Sequence, residues 1–391
     1  MKPSGAAAWA GLAVVYLGFL TVGFVFHFIP PVLPAMLADL GINHGQAGLL
    51  MSLFALPGIL LSVPGGWLAD RMGPAPLAAA GLLAMGLGSL DMGLAPSFTT
   101  ILAARAIAGI GWAVAVVAMQ RLVVKLFAGR PLGLPMGISG TAVPLGIIII
   151  LNVAGPWGAE HGWRAVAKGT GLVTATAAIL VGIAGRVLAG RSQAAAADSP
   201  HLVHSTSRAG FGALWAAAGV WFCANGAMTG FMTFAPDHFF ELGWSIRDRG
   251  LVTSIPMWIS VLLGPLTGWM TDRHGRRAGF IIAGMGLMAV SLALIPGGVV
   301  PQWVLGVALG VALAAVVSPL LALPGLLLPP GRVGWGFGVL ATCANLGIFC
   351  IPPLVGMARD RSGAFVAPFL LMGAVALAGV LAWPGLRRGR V

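Results

Sequence analysis

The sequence predicts an all-α membrane protein, with twelve transmembrane helices in two pseudo-symmetric six-helix bundles. Three observations predict it. Of 391 residues, 58% are hydrophobic and 8% charged, and the mean hydropathy is +0.96. A soluble domain carries roughly 25% charged residues, so this chain cannot cover a water-facing surface and its solvent is lipid. Apolar runs of about 18 or more residues recur without strand-like alternation, which indicates helices rather than a barrel. Finally, "GGWLADRMG" at Gly65–Gly73 returns as "TGWMTDRHGRR" at Thr267–Arg277, about half a chain later. With ten acidic residues in all, Asp70 and Asp272 each precede an Arg at the end of an apolar run.

The apolar runs, divided by turns and charges, give spans at 9–36, 47–68, 76–96, 99–120, 132–156, 163–188, 211–236, 250–271, 278–298, 302–328, 334–357 and 364–385. Each can cross a hydrocarbon core of ~30 Å with some tilt. The opening run continues through Phe28, too long for a cleaved signal peptide, and reads as the first span. Between spans six and seven lies "AGRSQAAAADSPHLVHSTSRAG". Its small and polar residues mark a linker at 189–210, dividing a first bundle at 1–188 from a second at 211–391. The repeated motif follows the second span of each half, as internal repeats of secondary transporters do.

The formal net charge of +12 comes from residues placed between the runs, so it reports topology rather than nucleic-acid binding. With the N-terminus inside, fifteen of the 22 Lys and Arg face inward, five outward, and Arg105 and Lys168 lie within spans. Both termini are therefore expected in the cytoplasm, with the chain in the inner (plasma) membrane and the lipid bilayer as its surroundings. Cys223, Cys343 and Cys350 all sit in apolar runs; an odd count within lipid argues against a disulfide framework. His201 and His204 lie in the linker without a third ligand, so no metal site is expected.

The motifs resemble those of the major facilitator superfamily, over the whole chain. The family's loop motif, Gly-x-x-x-Asp-Arg-x-Gly, matches Gly66, Asp70, Arg71 and Gly73 after span two. Its second copy matches Gly268, Asp272, Arg273 and Gly275, followed by Arg276 and Arg277, after span eight. Arg-x-x-x-Gly-x-Gly in span four matches Arg105, Gly109 and Gly111, and Gly162–Arg164 forms the typical "GWR" entering span six. Two departures matter. Pro74 and Pro76 stand where the first loop usually carries basic residues, which thins its charge network. The span-five antiporter motif is only faint in Gly140, Pro144 and Gly146, which argues against drug/proton antiport.

The resemblance implies a monomeric secondary transporter whose halves rock about a midplane site. It also implies that Asp70, Arg71, Gly73, Asp272, Arg273, Gly275 and Arg276 gate it. In the family this Asp lies near the start of a helix in the opposite half, which here points Asp70 to Gly334 and Asp272 to Gly133. A carboxylate at a helix N-terminus gains about 0.3–1 kcal/mol when exposed.

Arg105 lies inside span four, where an uncompensated charge costs about 2.5–3.5 kcal/mol on insertion scales. It either faces a cavity and holds an anion, or bonds backbone carbonyls as a structural residue. His27, in span one just before "FIPPVLP", either carries a coupling proton or is a hydrogen-bonded core residue. Asn225, Thr229 and Thr233 recur at helical spacing on one face of span seven, as substrate ligands or as interhelical hydrogen-bonders. Trp112, Trp221 and Trp258 are candidate walls. No Asp or Glu falls at mid-membrane in any span, so what remains inside is net positive. Proton-coupled uptake of a small organic or inorganic anion is the first expectation. Efflux of apolar or drug-like compounds is the second, and a non-transporting membrane sensor a minor third. Neither a nucleotide-binding loop nor a catalytic or cofactor motif is present, so no enzyme activity and no cofactor are expected.

Overall fold

Lipid-soluble helices explain the architecture seen in the computed structural model, which describes residues 5–61, 71–128, 130, 132–189, 208–329 and 332–388. The helices are α1 (Gly5–His27), α2 (Ile29–Leu40), α3 (His44–Leu53), α4 (Pro74–Leu94), α5 (Phe98–Leu126), α6 (Gly133–His161) and α7 (Trp163–Ala189). They continue with α8 (Arg208–Glu241), α9 (Ile246–His274), α10 (Arg277–Leu294), α11 (Gln302–Leu327), α12 (Val333–Ser362), α13 (Val366–Val380) and the short α14 (Trp383–Arg388). No strand occurs among the described residues. Twelve helical stretches among them are long and apolar enough to cross a membrane. Large apolar side chains such as Leu94, Leu172 and Leu262 are exposed, as a lipid-facing surface allows. The part of the linker at 190–207, with His201 and His204, lies outside the described residues, as do Gly66 and Asp70.

Several helices run past the apolar stretches that predict them. α5 reaches Leu126, α8 reaches Glu241 and α12 reaches Ser362, whereas hydropathy alone ends the matching spans at 120, 236 and 357. Hydropathy marks where hydrocarbon ends, but backbone hydrogen bonding carries a helix on into the polar interface.

The chain divides into two compact units. Unit 1 comprises Met1–Leu40 and Leu53–Ser199, and unit 2 comprises Gly41–Ser52 and Pro200–Val391. In unit 1, α4 packs on α5 and α7, and α1 lies against α6, α7 and α5. Small residues allow this: a Cβ on Gly111 of α5 would collide with the carbonyl of Gly81 in α4, the close backbone approach typical of membrane helix pairs. In unit 2, α8 packs on α12 and α13, and α11 on α9 and α10. The head of the second span, α3 up to Ser52, groups with unit 2, while the residues following it belong to unit 1.

Candidate functional site

In unit 1 the site is built on a broken helix. The first span is two helices, α1 ending at His27 and α2 starting at Ile29. Pro30 and Pro31 lack the N–H groups that the carbonyls four residues earlier, of Phe26 and His27, would otherwise accept from. Arg105 of α5 supplies donors at the break. Its Nη1 donates to the Val25 carbonyl at 2.6 Å and its Nη2 to the Phe26 carbonyl at 3.0 Å. The guanidinium carbon stands 4.4 Å from the centre of the Phe54 ring, and the side chain is fully buried. Flat geometry and forked donors suit a guanidinium to two carbonyls and a ring at once.

Gly109 of the span-four motif serves this contact. A Cβ on Gly109 would collide with the backbone carbonyl of Phe54. Glycine there lets residue 54 approach α5 closely enough to lay its ring on Arg105. Phe54 stacks on Phe26 with ring centres 5.1 Å apart and lies 5.3 Å from Trp112. The expected wall residue Trp112 thus stands beside Arg105's aromatic neighbours. His27 is 3% exposed, its ring edge-on to Phe26 at 4.3 Å. Its Nδ1 has no hydrogen-bond partner among the described residues.

The "GWR" sequence has its own role in unit 1. Trp163 Nε1 donates to Asp39 at 2.9 Å, and Arg164 donates to the same carboxylate at 3.2 Å and to the Ala95 carbonyl at 2.9 Å. One acidic residue at the end of α2 thereby ties α2 to the start of α7. A cavity of about 730 Å³ in unit 1 lies elsewhere, between Pro74, Ala79, Leu83, Leu122, Lys125, Ile179 and Gly182, and holds none of the expected ligands.

In unit 2, Asn225, Thr229 and Thr233 follow one another along α8. Asn225 donates to the Trp221 carbonyl at 2.8 Å. Thr233 donates to the Thr229 carbonyl at 2.7 Å and is fully buried. Both donors therefore turn back onto their own helix. Each side-chain oxygen still has acceptor capacity, and Asn225 is half-buried. Trp258 on α9 is 46% exposed, while Trp221 is half-buried.

The loop after α9 is ordered around Asp272, which accepts from Arg277 at 2.6 Å. Arg273 lies 5.4 Å over the Trp269 ring. Gly275 ends α9 at φ 63°, a left-handed cap that glycine takes without strain. Arg276 is exposed at the start of α10. In the first copy, Arg71 is exposed, and Gly73 at φ 82° precedes Pro74, the first residue of α4. Pro74 suits a helix's first position because its missing N–H would be unpaired there anyway.

One cluster escaped the sequence reading. In unit 2, His44 at the head of α3 lies between Asp237 of α8 and Asp360 of α12, at 3.0 Å and 2.9 Å. Glu241 pairs with Arg359 beside it. Both Asp residues sit just beyond the apolar limits of their spans, where they read as loop charges. The local trace was Asp237 in "PDHFF", where the helix runs on past the apolar limit of its span to Glu241.

The family model of the Major Facilitator Superfamily matches residues 15–246 and 217–390. A protein of Cupriavidus necator described as a probable sulfoacetate transporter, SauU, is 26% identical over 380 residues, covering 89% of this chain and 86% of its own. The quinolone resistance protein NorA of Staphylococcus aureus is 26% identical over 141 residues, 36% of this chain and 35% of its own. Among solved structures, a bacterial homologue of the human lysosomal transporter Spinster has the same fold. Its TM-score is 0.75 at 17% identity, covering 99% of this chain and 94% of that one.

Proposed function

The chain belongs to the Major Facilitator Superfamily, and from that premise we propose that it takes up a small organic or inorganic anion, driven by protons. The observation that carries this reading is the buried Arg105 at the break of the first span. A guanidinium stays charged under all ordinary conditions. Here it stands among aromatic rings, in a set of spans without a mid-membrane carboxylate. Such a site stabilises a negative solute and disfavours a cation. The near full-length likeness to a relative described as a sulfoacetate transporter agrees with an anionic substrate. The likeness to NorA covers about a third of either chain and supports efflux less.

In this reading Arg105 sets the field of the site and holds the carbonyls at the helix break. His27, with its free Nδ1, exchanges the coupling proton. Asn225, Thr229 and Thr233 receive the polar atoms of the solute, and Trp112 and Trp258 wall it. The loops at Arg71–Gly73 and Asp272–Arg276 gate access from the cytoplasm, where both termini lie, and the protein works as a monomer in the inner membrane.

The test is uptake into vesicles with an imposed pH gradient, using labelled sulfoacetate and a panel of other small anions. Accumulation of an anion above its external concentration, abolished by collapsing the gradient, supports the reading. Gradient-driven export of lipophilic dyes without anion uptake replaces it with efflux. Binding without counterflow indicates a sensor.

A further inference from the structure

We propose that His44 is a proton-binding site, and that its bound proton pins the head of the second span to α8 and α12 within unit 2. The pin is built from both backbone and ring contacts. Asp360 accepts from the His44 backbone N–H at 3.0 Å and the Gly45 N–H at 2.8 Å. It therefore caps α3, where a carboxylate suits the positive end of the helix. The ring adds the titratable part, Nδ1 meeting Asp360 at 2.9 Å and Nε2 meeting Asp237 at 3.0 Å. The Asp237 side chain is 5% exposed and the His44 side chain 18%.

A carboxylate only accepts, and a neutral imidazole has one donor and one acceptor. Two carboxylates can both be bonded only by the imidazolium form. With the proton gone, one ring nitrogen turns a lone pair toward a carboxylate oxygen, and that contact becomes repulsive. The capping bonds to the two backbone amides are independent of the proton, so its loss loosens the pin without dismantling α3.

The other charges near the ring are few. α8 contributes His238 and Glu241 besides Asp237, and α12 contributes Arg359, which pairs with Glu241. Arg249 of α9 is within electrostatic reach of Asp237. α3 itself carries no other titratable side chain. Asp237 and Asp360 are thus the groups in direct contact with the ring.

The seam behind the pin is suited to opening and closing. α3 runs antiparallel to α12, with His44 against Gly356, Gly48 against Pro352, and Ser52 donating to the Ile348 carbonyl at 3.3 Å. A Cβ on Gly48 or Gly356 would collide with the facing backbone, so the two helices meet closely and with few long side chains to interlock. The ring contacts of His44 add a proton-dependent hold at the end of this seam.

The test is hydrogen–deuterium exchange of the full-length purified protein, followed on the peptide covering α3 and corrected for intrinsic exchange. It is run at about pH 5.5 and about pH 8.5, on either side of the ordinary imidazole range. Protection of α3 is expected to fall about tenfold on going to the alkaline condition, the weight of one charge-assisted hydrogen bond. His44→Gln should remove the pH step. Asp237→Asn offers an amide donor to the neutral ring and should keep acid-level protection at alkaline pH. Equal protection of the native protein at both pH values, or a step that persists in His44→Gln or is unchanged in Asp237→Asn, overturns the proposal. The measurement needs no substrate, so its failure leaves the transport reading intact, and a failed uptake assay leaves the pin intact.

Discussion

Arg105 in unit 1, fully buried, and His44 in unit 2, partly buried, are both cation-capable side chains, and the fold answers them by opposite means. Arg105 meets two backbone carbonyls and an aromatic face. His44 meets two carboxylates. Carbonyls and rings are permanent dipoles and quadrupoles, so the first arrangement is the same at every physiological pH. Carboxylates around an imidazole make the second depend on a proton. The same problem, a positive charge taken wholly or partly out of water, is thus solved once for constancy and once for responsiveness.

Removing Arg105 should give the largest effect. Arg105→Ala leaves the carbonyls of Val25 and Phe26 without their donor and a void beside Phe54. A loss of about 2–5 kcal/mol follows, visible as a lower unfolding temperature together with abolished anion uptake. Arg105→Lys keeps the charge without the fork. If it restores uptake fully, the positive field alone matters and the contrast with His44 weakens.

Next is the seam. Gly48→Val forces α3 off α12 and should cost about 1–3 kcal/mol, with α3 exchanging rapidly at every pH. Asp360→Ala removes the cap as well as a ring partner, for about 0.5–2 kcal/mol, measured by thermal unfolding at acid pH. An equal effect at acid and alkaline pH would show that the cap outweighs the proton. On the substrate side, Asn225→Ala should raise the apparent KM for anion uptake about two- to tenfold, the value of one neutral hydrogen bond, with little change in unfolding temperature. The smallest stability change belongs to Asp272→Asn. Its partner bond to Arg277 is mostly exposed on the Asp side, so less than about 1 kcal/mol is expected. A shift in the inward-open population, read by cysteine accessibility, would reveal its gating part.

Much of this was legible in advance. Hydropathy alone placed twelve spans because a bilayer demands long apolar segments that satisfy their own backbone hydrogen bonds. The Arg-x-x-x-Gly-x-Gly pattern marked Arg105 as a buried charge, and the structure shows its bonds to the carbonyls of Val25 and Phe26. The role of Gly109 was not legible, because the sequence does not say that residue 54 lies against it. Asp237 and Asp360 were hidden for a different reason. A charge at a helix end is ordinary in a membrane protein, and only the neighbouring helix gives it meaning.

Composition and periodicity determined the solvent, the helices and their number, since these depend on each segment's own transfer energy and backbone hydrogen bonds. Tertiary structure decided what each rare polar residue does. His44 lies 193 residues from Asp237 and 316 from Asp360, and no local rule links such distances. The reason is physical: in lipid a polar side chain takes its value from the partner that replaces water, and that partner is fixed by packing rather than by neighbours in the chain.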